Sequence, residues 1–92
     1  MIRSFACADT EALFHSVAVT RFRSFERVAR RKLLQIHAAT ELATLLIPPG
    51  NQLEVLKSDR KGQHSIRVND QWRVCFVWAE SGPTGVEIVD YH

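Results

Sequence analysis

The sequence predicts an α+β fold in which an N-terminal strand and two helices pack on one face of a curved, mainly antiparallel sheet. Three observations predict it. In the first half of the chain apolar residues recur at helical steps, whereas after Gly50 they alternate with a period of two. Pro48-Pro49-Gly50 separates the halves, because a helix cannot run through that sequence. The strand-like segments that follow are joined by short turns, and short connections demand antiparallel neighbours.

The elements follow in order. "MIRSF" alternates Ile2 and Ser4 against Arg3 and Phe5 and reads as a short opening strand. Asp9 can cap a brief helix whose apolar stripe is Leu13, Phe14 and Val17. A second helix is predicted from Arg21 to Ala38, because Phe22, Phe25, Ala29, Leu33 and Ile36 recur three and four residues apart. Arg23, Arg27, Arg30 and Arg31 fall largely on its other side, and Thr40 can cap one further turn. Four strands are then predicted at 53–56, 63–68, 71–78 and 86–92, separated by "KSDRKG", "ND" and "AESGPTG". Alternation sends Trp72, Val74, Phe76 and Trp78 to the core face, with Ile66, Val68 and His64 of the strand before. Arg67 and Arg73 then share the face that the helices leave open.

The whole chain bounds the function. Its 92 residues make one domain, 1–92, and 46% hydrophobic with 24% charged residues is an ordinary globular composition. Two cysteines, Cys7 and Cys75, do not make the disulfide framework of a small secreted domain. No apolar run approaches the roughly 18 residues that span a bilayer, and "MIRSFACADTE" meets charge too soon for a signal peptide, so a cytoplasmic protein without a membrane partner is expected. The net charge of +2 is unevenly spread. Residues 20–32 hold Arg21, Arg23, Arg27, Arg30, Arg31 and Lys32 against Glu26 alone, and residues 57–73 hold Lys57, Arg60, Lys61, Arg67 and Arg73 against Asp59 and Asp70. Two such clusters suit a polyanion, nucleic acid first; they are equally the solvated faces of a helix and a sheet.

The chemistry follows from a groove with Lys57, Arg67 and Arg73 on its floor and Asp90, Tyr91 and His92 at its rim. RNA cleavage by the neighbouring 2′-hydroxyl needs a proton acceptor, a proton donor for the leaving 5′-oxygen and cations for the charge on phosphorus. Histidine titrates near working pH, and arginine offers paired hydrogen bonds without losing its charge. Each residue has a plainer reading beside this one: Tyr91 closing the core, Asp90 pairing with an arginine, Arg73 an exposed strand residue, His92 a solvated end. His64 falls on the core side unless a bulge turns it outward, and Glu54 reads as an ion-pair partner of Lys57 sooner than as a general base. Asp90 and His92 alternate to one face and Tyr91 to the other, so the three meet one phosphate only if the strand twists or stops pairing at its tip. His92, as the last residue, is expected to leave strand geometry there. No zinc spacing, glycine-rich phosphate loop or nucleophile elbow is present in the sequence.

"MIRSF", "LEVLKSDRKGQHSIRVNDQWRVCFVW" and "VEIVDYH" together resemble the HigB toxins, the host-inhibition branch of the RelE superfamily. The resemblance runs over essentially the whole chain and implies a RelE-like fold. It also implies a bacterial type II toxin that cleaves messenger RNA in the 30S A site of a translating ribosome, without metal or other cofactor. A HigA-like helix-turn-helix antitoxin would neutralise it, with operator DNA reached only through that antitoxin. Carried onto this chain, His92 and Asp90 would handle protons, Tyr91 would support them, Lys57 and Arg73 would hold the scissile phosphate, and Arg67 would help. Arg23, Arg27, Arg30 and Arg31 would lie against ribosomal RNA. Many members carry a histidine where this chain has Glu54, and a glycine where it has Ser58. Other functions remain open beside cleavage: a non-catalytic RNA- or ribosome-binding inhibitor, or chiefly a co-repressor partner of the antitoxin.

Overall fold

The computed structural model describes residues 1–91; the expectations for His92 lie outside the described residues. Helix α1 spans Ala8–Phe14 and α2 spans Glu26–Ala38, with a 3₁₀ turn over Thr20–Phe25 leading into α2. Two more 3₁₀ turns, Leu42–Leu46 and Pro49–Asn51, lead to β1 (Glu54–Val55), and a third, Ser58–Arg60, precedes β2 (His64–Arg67), β3 (Trp72–Ala79) and β4 (Gly82–Asp90). The strands form one antiparallel sheet in the order β1-β2-β3-β4.

The stripe read from the sequence is the one that builds the core. Phe22, Phe25, Ala29, Leu33 and Ile36 are buried against Ile66, Val68, Val74, Phe76, Val86 and Ile88 of the sheet. Residues 20–25 are nevertheless 3₁₀ rather than α-helical. In a 3₁₀ turn side chains three apart eclipse, so Phe22 and Phe25 stay on one side and the apolar period alone does not register the change. Asp9 does not cap α1: the N-cap is Cys7, and Asp9 accepts a hydrogen bond from Arg21 Nε at 2.9 Å instead. Val17 lies beyond α1 and is exposed, and the turn that Thr40 was expected to cap is shifted by one residue, with Glu41 at its N-cap.

Both edges of the sheet are protected. β1 is only two residues long. Beside β4, the opening segment forms a single parallel bridge, Phe5 to Val86, rather than a full strand. Arg3 N–H donates to the Pro83 carbonyl at 2.8 Å, Val86 N–H to the Ser4 carbonyl at 3.1 Å and Ala6 N–H to the Val86 carbonyl at 3.0 Å, and Thr10 Oγ1 of α1 accepts from Ile88 N–H at 2.9 Å. An edge covered in this way cannot recruit another chain by strand addition. The predicted turn "AESGPTG" shrinks to Glu80-Ser81, and β4 begins at Gly82. A register shift between Cys75 and Val77 and the positive φ of Gly82 and Gly85 let the strand run through Pro83, a residue tolerated at edges and bulges. Among the described residues no helix is long and apolar enough to cross a membrane.

Ser58 has φ 56°, a left-handed conformation that costs a side-chain-bearing residue about 1–2 kcal/mol and glycine nothing. Ser58→Gly is therefore expected to raise stability by up to about 1 kcal/mol after the added freedom of the unfolded chain is counted. A urea midpoint shifted upward with unchanged slope is the expected reading.

Candidate functional site

Residues paired across neighbouring antiparallel strands project to the same face. Glu54 pairs with Ser65, Ser65 with Cys75, Arg67 with Arg73, and Arg73 with Val89, so these residues share the face turned away from the helices. Tyr91 prolongs β4 by one bond, its N–H donating to the Gln71 carbonyl at 2.7 Å. Standing two residues past Val89, it falls on that face as well. An open hollow of about 350 Å³ lies here, lined by Gln52, Glu54, Arg67, Asn69, Asp70, Arg73 and Tyr91.

Arg73 lies on the expected face yet is only 6% exposed. A buried guanidinium needs acceptors to replace water. Its Nε donates to Ser65 Oγ at 2.7 Å, and its Nη2 to the Ser65 carbonyl at 3.3 Å and to the Gln52 carbonyl. Nη1 stands 3.9 Å from Glu54 Oε1, a loose ion pair with a half-exposed carboxylate. Glu54 is thus beside Arg73 rather than paired with Lys57. Arg67, the cross-strand neighbour, donates to Asp70, whose side chain is almost fully exposed. Asn69 shapes the wall from the β2–β3 turn, its Oδ1 accepting from the N–H groups of Gln71 at 2.9 Å and Trp72 at 2.8 Å.

The other candidates lie elsewhere. Asp90 pairs with Trp72, one residue out of phase with the hollow, and accepts from Gln71 Nε2 at 3.0 Å. Lys57 is exposed at the start of the Ser58–Arg60 turn and is not among the lining residues. His64 faces the core side as alternation predicts: its ring stacks on Phe76 with centroids 6.2 Å apart, and its buried Nδ1 has no hydrogen-bond partner among the described residues. Arg23, Arg27 and Arg31 are exposed, whereas Arg30 Nε donates to the Leu13 carbonyl at 3.2 Å, satisfying the end of α1. Lys32, counted with the basic cluster, is a buried residue of α2.

Sequence reasoning missed Gln52, Asn69 and Asp70 as parts of this hollow, and Ser65 as the buried partner that holds Arg73. Alternation with Arg67 was signal enough for Ser65. Gln52 contributes a backbone carbonyl, which no side-chain pattern announces. Among the described residues no group of three His, Cys, Asp or Glu side chains is arranged to hold a metal ion.

The chain is similar to known proteins in sequence and in shape. The profile of a family described as the RelE-like toxin of type II toxin-antitoxin system HigB matches residues 14–92. Toxin HigB-1 of Vibrio cholerae is 46% identical over 57 residues, a stretch that covers 62% of this chain and 60% of that protein's length. In a solved YoeB-YefM complex from Staphylococcus aureus, one chain superposes with a TM-score of 0.62 at 15% identity, covering 100% of this chain and 98% of that one. At that identity the likeness concerns the fold.

The face that carries Arg73 also closes over Cys75, and burial pushes the Cys75 thiol up to about 11. Burial acts upward on Cys7 too, but hydrogen bonds with Thr10 and Asp9 and the charge of Arg21 outweigh it and bring the thiol below its ordinary value. Since the thiolate is the reactive form, an alkylating agent at pH 8 is expected to modify the folded chain at Cys7 alone. Cys75 should react only after unfolding, or as the pH rises towards its raised value; mass spectrometry of intact and digested protein reads both sites.

Proposed function

The chain belongs to the HigB-like family of RelE-like toxins of type II toxin-antitoxin systems, and on that premise we propose that it cleaves messenger RNA in the A site of a translating ribosome. The observation that carries the reading is Arg73: a guanidinium held rigidly by Ser65 and Gln52, with its Nη1 side on a hollow that Arg67 and Tyr91 share. A pre-oriented cation of this kind suits the charge that gathers on phosphorus as the 2′-hydroxyl attacks.

In the proposed reaction the 2′-oxygen bonds to phosphorus, its proton passes to an acceptor, and the bond to the 5′-oxygen breaks as that oxygen takes a proton. His92 and Asp90 handle the protons, with Asp90, out of phase with the hollow, orienting the proton carrier rather than touching phosphate. Arg73 and Lys57 hold the scissile phosphate, Arg67 assists, and Tyr91 stacks on a base or donates its hydroxyl. The proposal includes no metal and no other cofactor. Arg23, Arg27 and Arg31 meet ribosomal phosphates, and Arg30 takes a smaller part because its Nε is occupied at the end of α1. A HigA-like helix-turn-helix antitoxin neutralises the toxin and carries the pair to operator DNA, and both act in the cytoplasm.

One observation favours a second reading. The two guanidiniums of the hollow are each faced by a carboxylate, Arg73 by Glu54 and Arg67 by Asp70, and no imidazole is among the described residues that line it. Such a surface suits inhibition by occupying the ribosome without cutting.

Inducing the gene alone in bacteria and mapping RNA 5′ ends separates the two. Cuts in phase with codons, confined to translated messages and lost in His92→Ala and Arg73→Ala, are expected; growth arrest with intact messages would establish occupancy instead. Glu54→Ala then tests the carboxylate that stands where relatives carry histidine. If Glu54 accepts a proton, ribosome-dependent cleavage slows by about 10²-fold or more, whereas an unchanged or faster rate would assign it only to pairing with Arg73.

A further inference from the structure

Lys32 lies in the middle of α2 and is only 9% exposed, a rare position for an ammonium. Its Nζ donates to Asn51 Oδ1 at 2.6 Å. Asn51 is fully buried, and its Nδ2 reaches Gln35 Oε1 at 3.1 Å and the carbonyls of Leu45 and Ile47 at 3.2 and 3.4 Å. One amide therefore ties α2 to the chain that leaves it. The next residue is Gln52, in the left-handed conformation at φ 46° and ψ 56°, and its carbonyl is the one that accepts from Arg73 Nη2. Two residues later the same segment delivers Glu54 to within 3.9 Å of Arg73 Nη1.

We propose that Lys32 and Asn51 are positioning residues for Arg73, acting through the Gln52 carbonyl to aim its guanidinium into the hollow. The proposal rests on the reading of Arg73 as the phosphate-holding cation. A left-handed turn at a residue with a side chain persists only when its surroundings determine it. Here Asn51 supplies that determination immediately before the turn, because its four hydrogen bonds leave the amide one orientation. The amide in turn is held by the buried Lys32 ammonium. Take away the ammonium and Asn51 can rotate; the Gln52 carbonyl then loses its direction, and Arg73 keeps only its Ser65 partners. Burial pushes the Lys32 ammonium's pKa down, and the nearby charges of Arg31 and Arg67 add to that, so the acceptor that Asn51 supplies is what favours the charged form here.

The test uses the full chain and two measurements. The first does not depend on activity: hydrogen exchange at the Arg73 Nη2 hydrogens, which face the Gln52 carbonyl, followed by NMR in wild type and in Lys32→Met, which keeps the bulk and removes the charge. Exchange at Arg73 is expected to quicken at least about tenfold while the β3 backbone amides keep their protection. Equal acceleration of the β3 amides would mean general loosening and would overturn the proposal, as would no change at Arg73. The second is a double-mutant cycle with Arg73→Lys on ribosome-dependent cleavage. Lys32→Met alone is expected to lower kcat about tenfold with little effect on KM, and to lower it less than twofold further in the Arg73→Lys background. Effects that multiply would show that Lys32 acts independently of Arg73. If Lys32→Met does not fold, Asn51→Asp, which keeps an acceptor for the ammonium but removes the amide's donors, carries both measurements with the same expected outcomes. A wild type that cuts no RNA would refute the cleavage reading while the exchange result still decides the positioning of Arg73.

Discussion

Taking the Arg73 guanidinium out of water is the constraint on which the open face of the sheet depends. An ion moved into a protein interior forfeits hydration worth several kcal/mol even after relaxation, so its donors must find acceptors with good geometry. Ser65 supplies both its hydroxyl and its carbonyl, and Gln52 supplies a carbonyl from a separate segment. The first two come almost free, because the β2–β3 register puts Ser65 two residues from Arg67, the partner of Arg73. The third requires the chain before β1 to turn back over the sheet, and the left-handed Gln52 provides that turn. The short β1, the place of Glu54 and one wall of the hollow all follow from it.

The two faces of the sheet are thus built by different physics. Against the helices, Ile66, Val74, Phe76 and Ile88 meet the α2 stripe, and removing apolar area from water is enough to hold them. On the other face the middle of β3 is also buried, at Arg73 and Cys75, but under polar groups, including the Arg60–Glu87 ion pair at 2.9 Å, with Glu87 the register partner of Cys75. Hydrogen bonds constrain direction where apolar contacts do not. That is why the directional part of the molecule, and the hollow, sit on the polar face.

This division explains what was legible in the sequence. Apolar periodicity reports burial against the core, so it identified Phe22 to Ile36, the alternation of β3 and the core side of His64. It also put Arg67 and Arg73 together, because alternation is a property of the backbone. It did not report that Arg73 is buried, since the groups that bury it include a carbonyl and a segment distant in sequence. Lys32 misled for the same reason: a lysine in an arginine-rich stretch reads as surface until its partner Asn51, nineteen residues on, is seen. The 3₁₀ geometry of residues 20–25 and the short Glu80-Ser81 turn escaped because apolar spacing survives the first, and Gly-Pro spacing mimics a longer loop in the second.

Charge balance in the hollow then limits how a phosphate could be attracted to it. With Glu54 near Arg73 and Asp70 on Arg67, its potential at a distance is small, and beyond the Debye length of about 8 Å at physiological salt it is screened further. The exposed Arg23, Arg27 and Arg31 have no such local offset from the residues beside them apart from Glu26. On the proposed reading, attraction at long range would belong to the α2 surface and selection at short range to the hollow. The two carboxylates differ in kind. Asp70 is almost wholly solvated and bound only at its tip, so an incoming phosphate can displace it from Arg67 at little cost in desolvation. Glu54 is held on the segment that also aims Arg73, so it stays as the phosphate arrives and must be tolerated or used.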